Sequence, residues 1–209
     1  RKHLLEYDDV MNKQRETIYV QRKEILQGKD MKDYILELIE TLAEWIMDTY
    51  ASKEKSPEDW DVEAFKKAMA AQFAVNIDAL NIDWTTIIYD ELKEKILQHL
   101  KTVYEEKEKI ISPGHMREFE RIIMLQVIDS QWKDHLLGMD YLKEGIGLRG
   151  YGQRDPLVEY KKESFDMFQA MLDRIEEETI RYLFLIQPIA EEELPQRRQQ
   201  SLRYQQPQN

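Results

Sequence analysis

Hydrophobic positions recur at a spacing of seven along the start of the chain. This series consists of Leu4, Met11, Ile18 and Ile25. So narrow a stripe predicts an amphipathic helix that lies along other helices. Gly28 interrupts the pattern, and a second helical stripe begins at Met31. Because glycine is a poor helix former, we predict a local break or kink near Gly28.

The middle of the chain has the pattern of several shorter helices. Ser56-Pro57-Glu58-Asp59 combines a capping residue, a proline and two acids, which is typical of a helix start. We predict a short helix over residues 61–73 and a longer one over residues 84–109, capped by Asp83. Ser112-Pro113-Gly114 is the clearest boundary that follows. These features predict a small helical unit over residues 53–113.

Two long amphipathic stretches come next, over residues 115–142 and 156–186. Asp155 followed by Pro156 predicts the start of the second one. The connection over residues 145–156 contains the glycines Gly145, Gly147, Gly150 and Gly152, where helix is not expected to persist. We therefore predict an all-α fold that ends in a long antiparallel hairpin with a glycine-rich tip. Residues 188–209 are polar and rich in glutamine, and we predict that they are disordered.

The composition narrows the classes of function. The 209 residues carry a formal net charge of −11, which argues against binding nucleic acid through phosphate contacts. The chain has no cysteine, so disulfides and thiolate metal sites are excluded. No apolar run is long enough to predict a membrane-spanning helix. Because the sequence opens within a helical pattern, we expect it to be a piece of a longer protein.

The sequence carries no strong signature of an enzyme. Residues 145–150 match the pattern G-x-G-x-x-G, but a dinucleotide site needs a preceding strand, and no strand pattern is present. The four histidines are scattered without a second metal ligand at helical spacing, and His135 is predicted to be an ordinary residue of a helix face. We therefore predict no catalytic residue, no metal site and no cofactor in this chain.

The glycine-rich tip is the candidate contact site. Against the acidic chain it is locally positive and offers one aromatic ring beside two aliphatic side chains. The candidate contact residues are Ile146, Leu148, Arg149, Tyr151, Gln153 and Arg154. One reading is a loop whose side chains fold back on the hairpin. The other, which we favour, is a tip that presents Tyr151 to another molecule, since aromatic and arginine side chains are frequent contact anchors.

Several motifs in fixed order resemble those of the SecA family of bacterial protein-export motors. They are Tyr7-Asp8-Asp9-Val10-Met11-Asn12-Lys13-Gln14-Arg15, Leu125-Gln126-Val127-Ile128-Asp129-Ser130-Gln131-Trp132-Lys133-Asp134-His135-Leu136, and Leu148-Arg149-Gly150-Tyr151-Gly152-Gln153-Arg154-Asp155-Pro156. The resemblance covers residues 1–187. It implies that residues 1–52 are the first part of a helical scaffold and residues 53–113 a helical wing. Residues 114–187 would then be the two-helix finger, also called the regulator of ATPase, with its tip at 145–156.

The resemblance also implies partners and a location. Tyr151 matches the tip tyrosine, which in the family reaches the SecYEG channel and the unfolded preprotein. The residues expected to contact the motor domains are Tyr7, Asp8, Asp9, Asn12 and Arg15. ATP and Mg²⁺ would bind only to those motor domains, which precede this sequence in the family. The expected location is the cytoplasm, peripherally at the inner face of the plasma membrane.

A structural module for oligomerisation is the alternative function. Helical stripes that normally meet the motor domains would be open in this chain, and they could pair two copies into a homodimer. Measuring the mass in solution as a function of concentration separates the two functions.

Overall fold

The computed structural model describes residues 2–149 and 155–187, apart from the side chain of His3. These residues form an all-helical fold, as the sequence predicts, with short 3-10 helices at Pro57–Asp59 and Ile77–Leu80. Its α-helices are α1 (Lys2–Leu26), α2 (Met31–Tyr50), α3 (Val62–Phe73), α4 (Tyr89–Ile111), α5 (Pro113–Leu148) and α6 (Pro156–Leu185). The predicted disordered tail, residues 188–209, lies outside the described residues.

The predicted break after the first helix is present. Gly28 has a positive φ of 85°, a conformation that glycine adopts without strain. The carboxylate of Asp30 then accepts a hydrogen bond from the backbone N–H of Lys32 at 3.1 Å and caps α2. Before this break, α1 packs against α5 and α6. After it, α2 packs against the same two helices and also against α3 and α4. The domain boundary near residue 52 stays a prediction.

Two predicted helix starts in the middle of the chain are wrong. Pro57 begins only a single 3-10 turn, and the capped α-helix starts after Asp61, whose side chain accepts from the N–H of Ala64 at 3.1 Å. Asp83 does not cap the long helix either. Its carboxylate accepts from both the backbone N–H and the hydroxyl of Thr85, which holds a separate turn. The helix therefore begins at Tyr89, five residues after the predicted start at residue 84.

The hairpin of α5 and α6 is the longest feature of the fold. The two helices run antiparallel. Arg149 of the first contacts Glu163 near the far end of the hairpin, and Gln131 contacts Arg174 nearer its base. The 36 residues of α5 make it about 54 Å long at 1.5 Å per residue. It is longer than predicted, because the helix continues through Gly145 to Leu148.

The buried apolar residues form two separate clusters. The larger cluster joins all six helices at the end of the hairpin where α5 begins. The smaller cluster lies further along the hairpin and consists of Met139, Leu142, Ile146 and Tyr160. Tyr7, Val10 and Met11 of α1 pack against this smaller cluster. The first helix therefore flanks the hairpin from its base to its far half.

Candidate functional site on the finger and the first helix

Most of the residues predicted to contact motor domains face the hairpin. Tyr7, Asp8, Asn12 and Arg15 line a cleft of about 510 Å³ between α1 and the far half of the hairpin. The opposite wall includes Met139, Asp140, Lys143 and Tyr160. Asp9 is exposed and does not line this cleft. Contact with motor domains stays a prediction for all five residues.

Aromatic and charged contacts hold the two walls of the cleft together. The rings of Tyr7 and Tyr160 meet edge to face with centroids 4.7 Å apart. Burial raises the pKa of Tyr160, and the nearby carboxylates of Asp140 and Asp8 raise it further. Lys143 lies 3.9 Å from the carboxylate of Asp8, but both side chains are well exposed, so this pair contributes little to stability.

The structure describes only part of the predicted tip. Gly150, Tyr151, Gly152, Gln153 and Arg154 lie outside the described residues. Their predicted roles as turn and contact residues stay predictions.

The described tip residues differ from expectation at three positions. Gly145 and Gly147 are inside α5 and are not turn residues. Ile146 is 1% exposed in the smaller apolar cluster, because it lies one turn beyond Leu142 on the face that meets α6. Leu148 is 82% exposed, and Arg149 donates to the carboxylate of Glu163 at 2.6 Å. Of the candidate contact residues among these, Leu148 and Arg149 are exposed and Ile146 is buried.

A buried polar contact joins α1 to both helices of the hairpin. The side-chain N–H of Gln14 donates to the backbone carbonyl of Ser164 at 3.2 Å. The amide oxygen of Gln14 lies 2.7 Å from Nε2 of His135. Burial lowers the pKa of His135, and the positive charge of Arg174 lowers it further, so the ring is neutral at pH 7. The sequence placed His135 on a helix face but gave no sign of this contact.

A second buried polar network lies at the base of the hairpin. Glu120, which is fully buried, accepts from the hydroxyl of Tyr104 at 2.8 Å and from Arg117 at 2.6 Å. Arg117 also donates to Glu108 at 2.5 Å, and Lys32 donates to the same carboxylate at 3.0 Å. Burial raises the pKa of Glu120 and that of Tyr104. The network ties α2, α4 and α5 together. Apart from the i,i+3 pair of Arg117 and Glu120, its contacts join different helices, so helical periodicity alone does not predict it.

A lysine of α4 ties the end of α6 to that helix. Nζ of Lys107 donates to the backbone carbonyl oxygens of Phe184 at 2.7 Å and of Ile186 at 2.6 Å. A positive charge at the carboxyl end of a helix is favourable, and it also satisfies carbonyls that lack a helical partner. The last turn of α6 is thereby fixed against α4.

Metal-ligand clusters and membrane-spanning helices are both absent from the described residues. Residues 2–149 and 155–187 hold no group of three or more histidine and acidic side chains arranged for a metal ion. None of the helices in this part of the chain is both long and apolar enough to cross a membrane.

Sequence comparisons with known proteins show which family the chain belongs to. The sequence model of the family described as SecA Wing and Scaffold domain matches residues 1–187. Proteins named protein translocase subunit SecA are similar to this chain. That of Koribacter versatilis is 51% identical over 190 residues, covering 90% of this chain and 19% of the relative. That of Solibacter usitatus is 49% identical over 187 residues, with the same coverage of 90% and 19%. That of Syntrophobacter fumaroxidans is 47% identical over 200 residues, covering 96% of this chain and 24% of the relative.

The chain thus spans about a fifth of the length of the relatives it matches. The matched region includes all six described helices. It follows that this chain belongs to the SecA wing and scaffold family.

Proposed function

We propose that this chain is the part of a SecA protein translocase that carries movement of the motor domains to the substrate. Its first helix receives the movement, and the finger formed by α5 and α6 passes it to the preprotein at the SecYEG channel. In the reverse direction the same contacts regulate the ATPase activity of the motor. ATP and Mg²⁺ belong to the motor domains, and this chain holds neither. The assembly works at the inner face of the plasma membrane.

The observation that carries the proposal is the position of α1 along the hairpin. It runs antiparallel to α5, with Asp8 near Lys143 and Arg22 paired with Asp129. It runs parallel to α6, with Tyr7 against Tyr160. A helix that is packed along both members of a hairpin moves them together, and long helices transmit displacement with little bending.

The outer face of α1 supports a partner on its other side. Next to the stripe of the half-buried Met11 and the buried Ile18 and Ile25, a second stripe of α1 is exposed. Its apolar members are Leu5, Tyr19 and Leu26, with Leu4 and Val20 beside them. The stripe is interrupted by Asn12 between Leu5 and Tyr19. An exposed series of apolar side chains is typical of a surface that another element covers. In the proposal the motor domains cover it.

Oligomerisation through the same stripe is the second candidate. A heptad spacing is also what pairs two helices in a coiled coil, so Leu5, Tyr19 and Leu26 could join two copies of this chain. In that case the apparent mass would rise to twice the monomer value as the concentration increases. The substitution Tyr19→Glu would return it to the monomer value.

The experiment that tests the proposal measures the ATPase rate of separately produced motor domains with and without this chain. We expect a saturable change in rate that Leu5→Glu together with Tyr19→Glu abolishes. The control is Trp45→Glu, which changes an equally exposed apolar residue on α2 and should leave the effect intact. If no rate change and no binding are seen, the same substitutions are made in the continuous translocase. An unchanged ATPase rate there would refute the proposal.

A further inference from the structure

Gln14 is the one buried polar side chain of α1 within the described residues, and it contacts both helices of the finger. It is 6% exposed, and its partners His135 and Ser164 are 3% and 0% exposed. A single amide group thus bridges α1 to α5 through His135 and to α6 through the carbonyl of Ser164. The hydroxyl of Ser164 donates to the carbonyl of Lys161 at 3.0 Å and does not compete for this amide.

The proton positions at this contact follow from the chemistry of the groups. The carbonyl of Ser164 can only accept, so the NH₂ group of Gln14 must face it. The amide oxygen then faces His135, and because that oxygen also only accepts, Nε2 of His135 must carry the proton. The lowered pKa of His135 agrees with a neutral ring in this tautomer. The three groups therefore fit in one orientation.

Aromatic rings shield the contact from water. The ring of His135 stacks on Trp132 with centroids 5.5 Å apart, and Phe168 lies 5.6 Å from it on α6. Hydrogen bonds in such surroundings are stronger than in water, and an unpaired polar group there is costly. Separating Gln14 from its partners is accordingly unfavourable.

The other contacts between α1 and the finger differ in kind. Val10 and Met11 make apolar contacts in the far half, and Ile18 and Ile25 are buried in the larger cluster at the base. The hydrophobic effect behind these contacts is non-directional, so none of them depends on a bond angle. The pair Asp8–Lys143 is well exposed, and in the pair Arg22–Asp129 the guanidinium is half-buried and the carboxylate exposed. Ion pairs in contact with water contribute little free energy, so these two hold the register only weakly. A buried hydrogen bond weakens steeply with distance and angle, so it fixes one relative position.

We propose that Gln14 is a positioning residue that sets the axial register of the finger on α1, and that without it the two can shift by a helical turn. The inference rests on the proposed function only for its consequence, which is that movement of α1 passes to the finger without slip. The register itself is a property of this chain alone.

The decisive variant combines Gln14→Met with His135→Phe. Both replacements keep the size and the aromatic stacking but remove the hydrogen bonds on both sides, a change that costs little stability when the new groups pack well. We expect this variant to unfold near the same denaturant concentration as the parent while its register is lost. Gln14→Asn is the second variant, since it keeps the amide group and shortens the side chain. It replaces the double variant in the distance measurement if the double variant does not fold.

Register is measured as a distance between two spin labels. The chain has no cysteine, so labels attach only where cysteine is introduced. One pair uses Tyr19→Cys on α1 with Leu137→Cys on α5, both of which are exposed. The control pair lies within the finger and uses Leu137→Cys with Phe165→Cys. In the parent we expect one narrow distance for each pair.

In the variants we expect the α1–α5 distance to broaden or to shift by roughly 5 Å, the rise of one helical turn, while the control distance is unchanged. A narrow α1–α5 distance at the parent value in both variants would overturn the inference. The variant Gln14→Met with His135→Phe, made in the full-length translocase, should then raise the amount of ATP hydrolysed per residue translocated. If the register is lost but this ratio is unchanged, the proposed function fails and the assignment of Gln14 stands.

Discussion

The substitution Tyr104→Phe tests the buried network at the base of the finger. It removes only the hydroxyl that donates to Glu120 at 2.8 Å and leaves the ring in place. Glu120 is fully buried, so water cannot replace the lost donor. Arg117 still pairs with the carboxylate at 2.6 Å and opposes the rise in the pKa of Glu120 that burial causes. A buried hydrogen bond to a charged group contributes about 1.5–3 kcal/mol, and we expect a loss of about 2 kcal/mol in the free energy of unfolding.

A matched control is available in the same chain. Tyr89 donates to the carboxylate of Asp48 at 2.7 Å, a similar bond between the same chemical groups, but at an exposed position. Because water replaces the donor there, Tyr89→Phe should cost less than about 1 kcal/mol. The comparison isolates burial as the cause of the difference.

Urea unfolding followed by circular dichroism and by tryptophan fluorescence measures both variants. With a denaturant dependence of about 2 kcal/mol per molar, Tyr104→Phe should lower the midpoint by roughly 1 M, and Tyr89→Phe by less than half of that. In a Glu120→Gln background the effect of Tyr104→Phe should shrink, because the charged acceptor is gone. Equal shifts for the two tyrosine variants would refute the reasoning that the buried network stabilises the base of the finger.

Three further predictions concern separate parts of the chain. Gly145→Ala and Gly147→Ala should each raise the free energy of unfolding by about 0.5–1 kcal/mol, and with it the urea midpoint, because both positions are helical with free space around them. Gly28→Ala should lower the midpoint, because φ at this position is positive. Since the folded pKa of His135 is lowered, its contribution to stability is complete above its ordinary pKa of about 6.5 and is lost as the pH falls below that value. Midpoints at pH 7.5 and 5.5 should therefore differ more for the parent than for His135→Phe. Tyr151→Ala should impair translocation and leave the melting temperature nearly unchanged, and a large fall in melting temperature would contradict this.

The parts of the fold that the sequence predicts well are those set by local signals. The break at Gly28 and the start of α6 after Asp155 each depend on a cap, a proline or a glycine within a few residues. In α6 the carboxylate of Asp155 accepts from the N–H of Leu157 at 3.0 Å, as a capping residue does. Such contacts form between neighbours, so the sequence alone contains them.

Most of the features that the sequence does not predict depend on contacts between distant segments. Gly145 and Gly147 remain helical because Ile146 between them is buried against α6, and this packing outweighs their low helix propensity. The predicted helix start at residue 84 was wrong for a local reason. The carboxylate of Asp83 accepts from the N–H of Thr85 within a turn and does not cap a helix. Gln14 meets Ser164, 150 positions away, and no periodic pattern marks such a pair.

The two apolar clusters give the finger a graded resistance to local opening. The base shares the core of all six helices, so its amide protons should exchange with solvent only when most of this core opens. The far half relies on four buried side chains, helped by three from α1, and can open by itself at a lower cost. Withdrawal of α1 from the far half would loosen that part and leave the base intact. The finger therefore resembles a lever whose outer stiffness is supplied by the helix beside it.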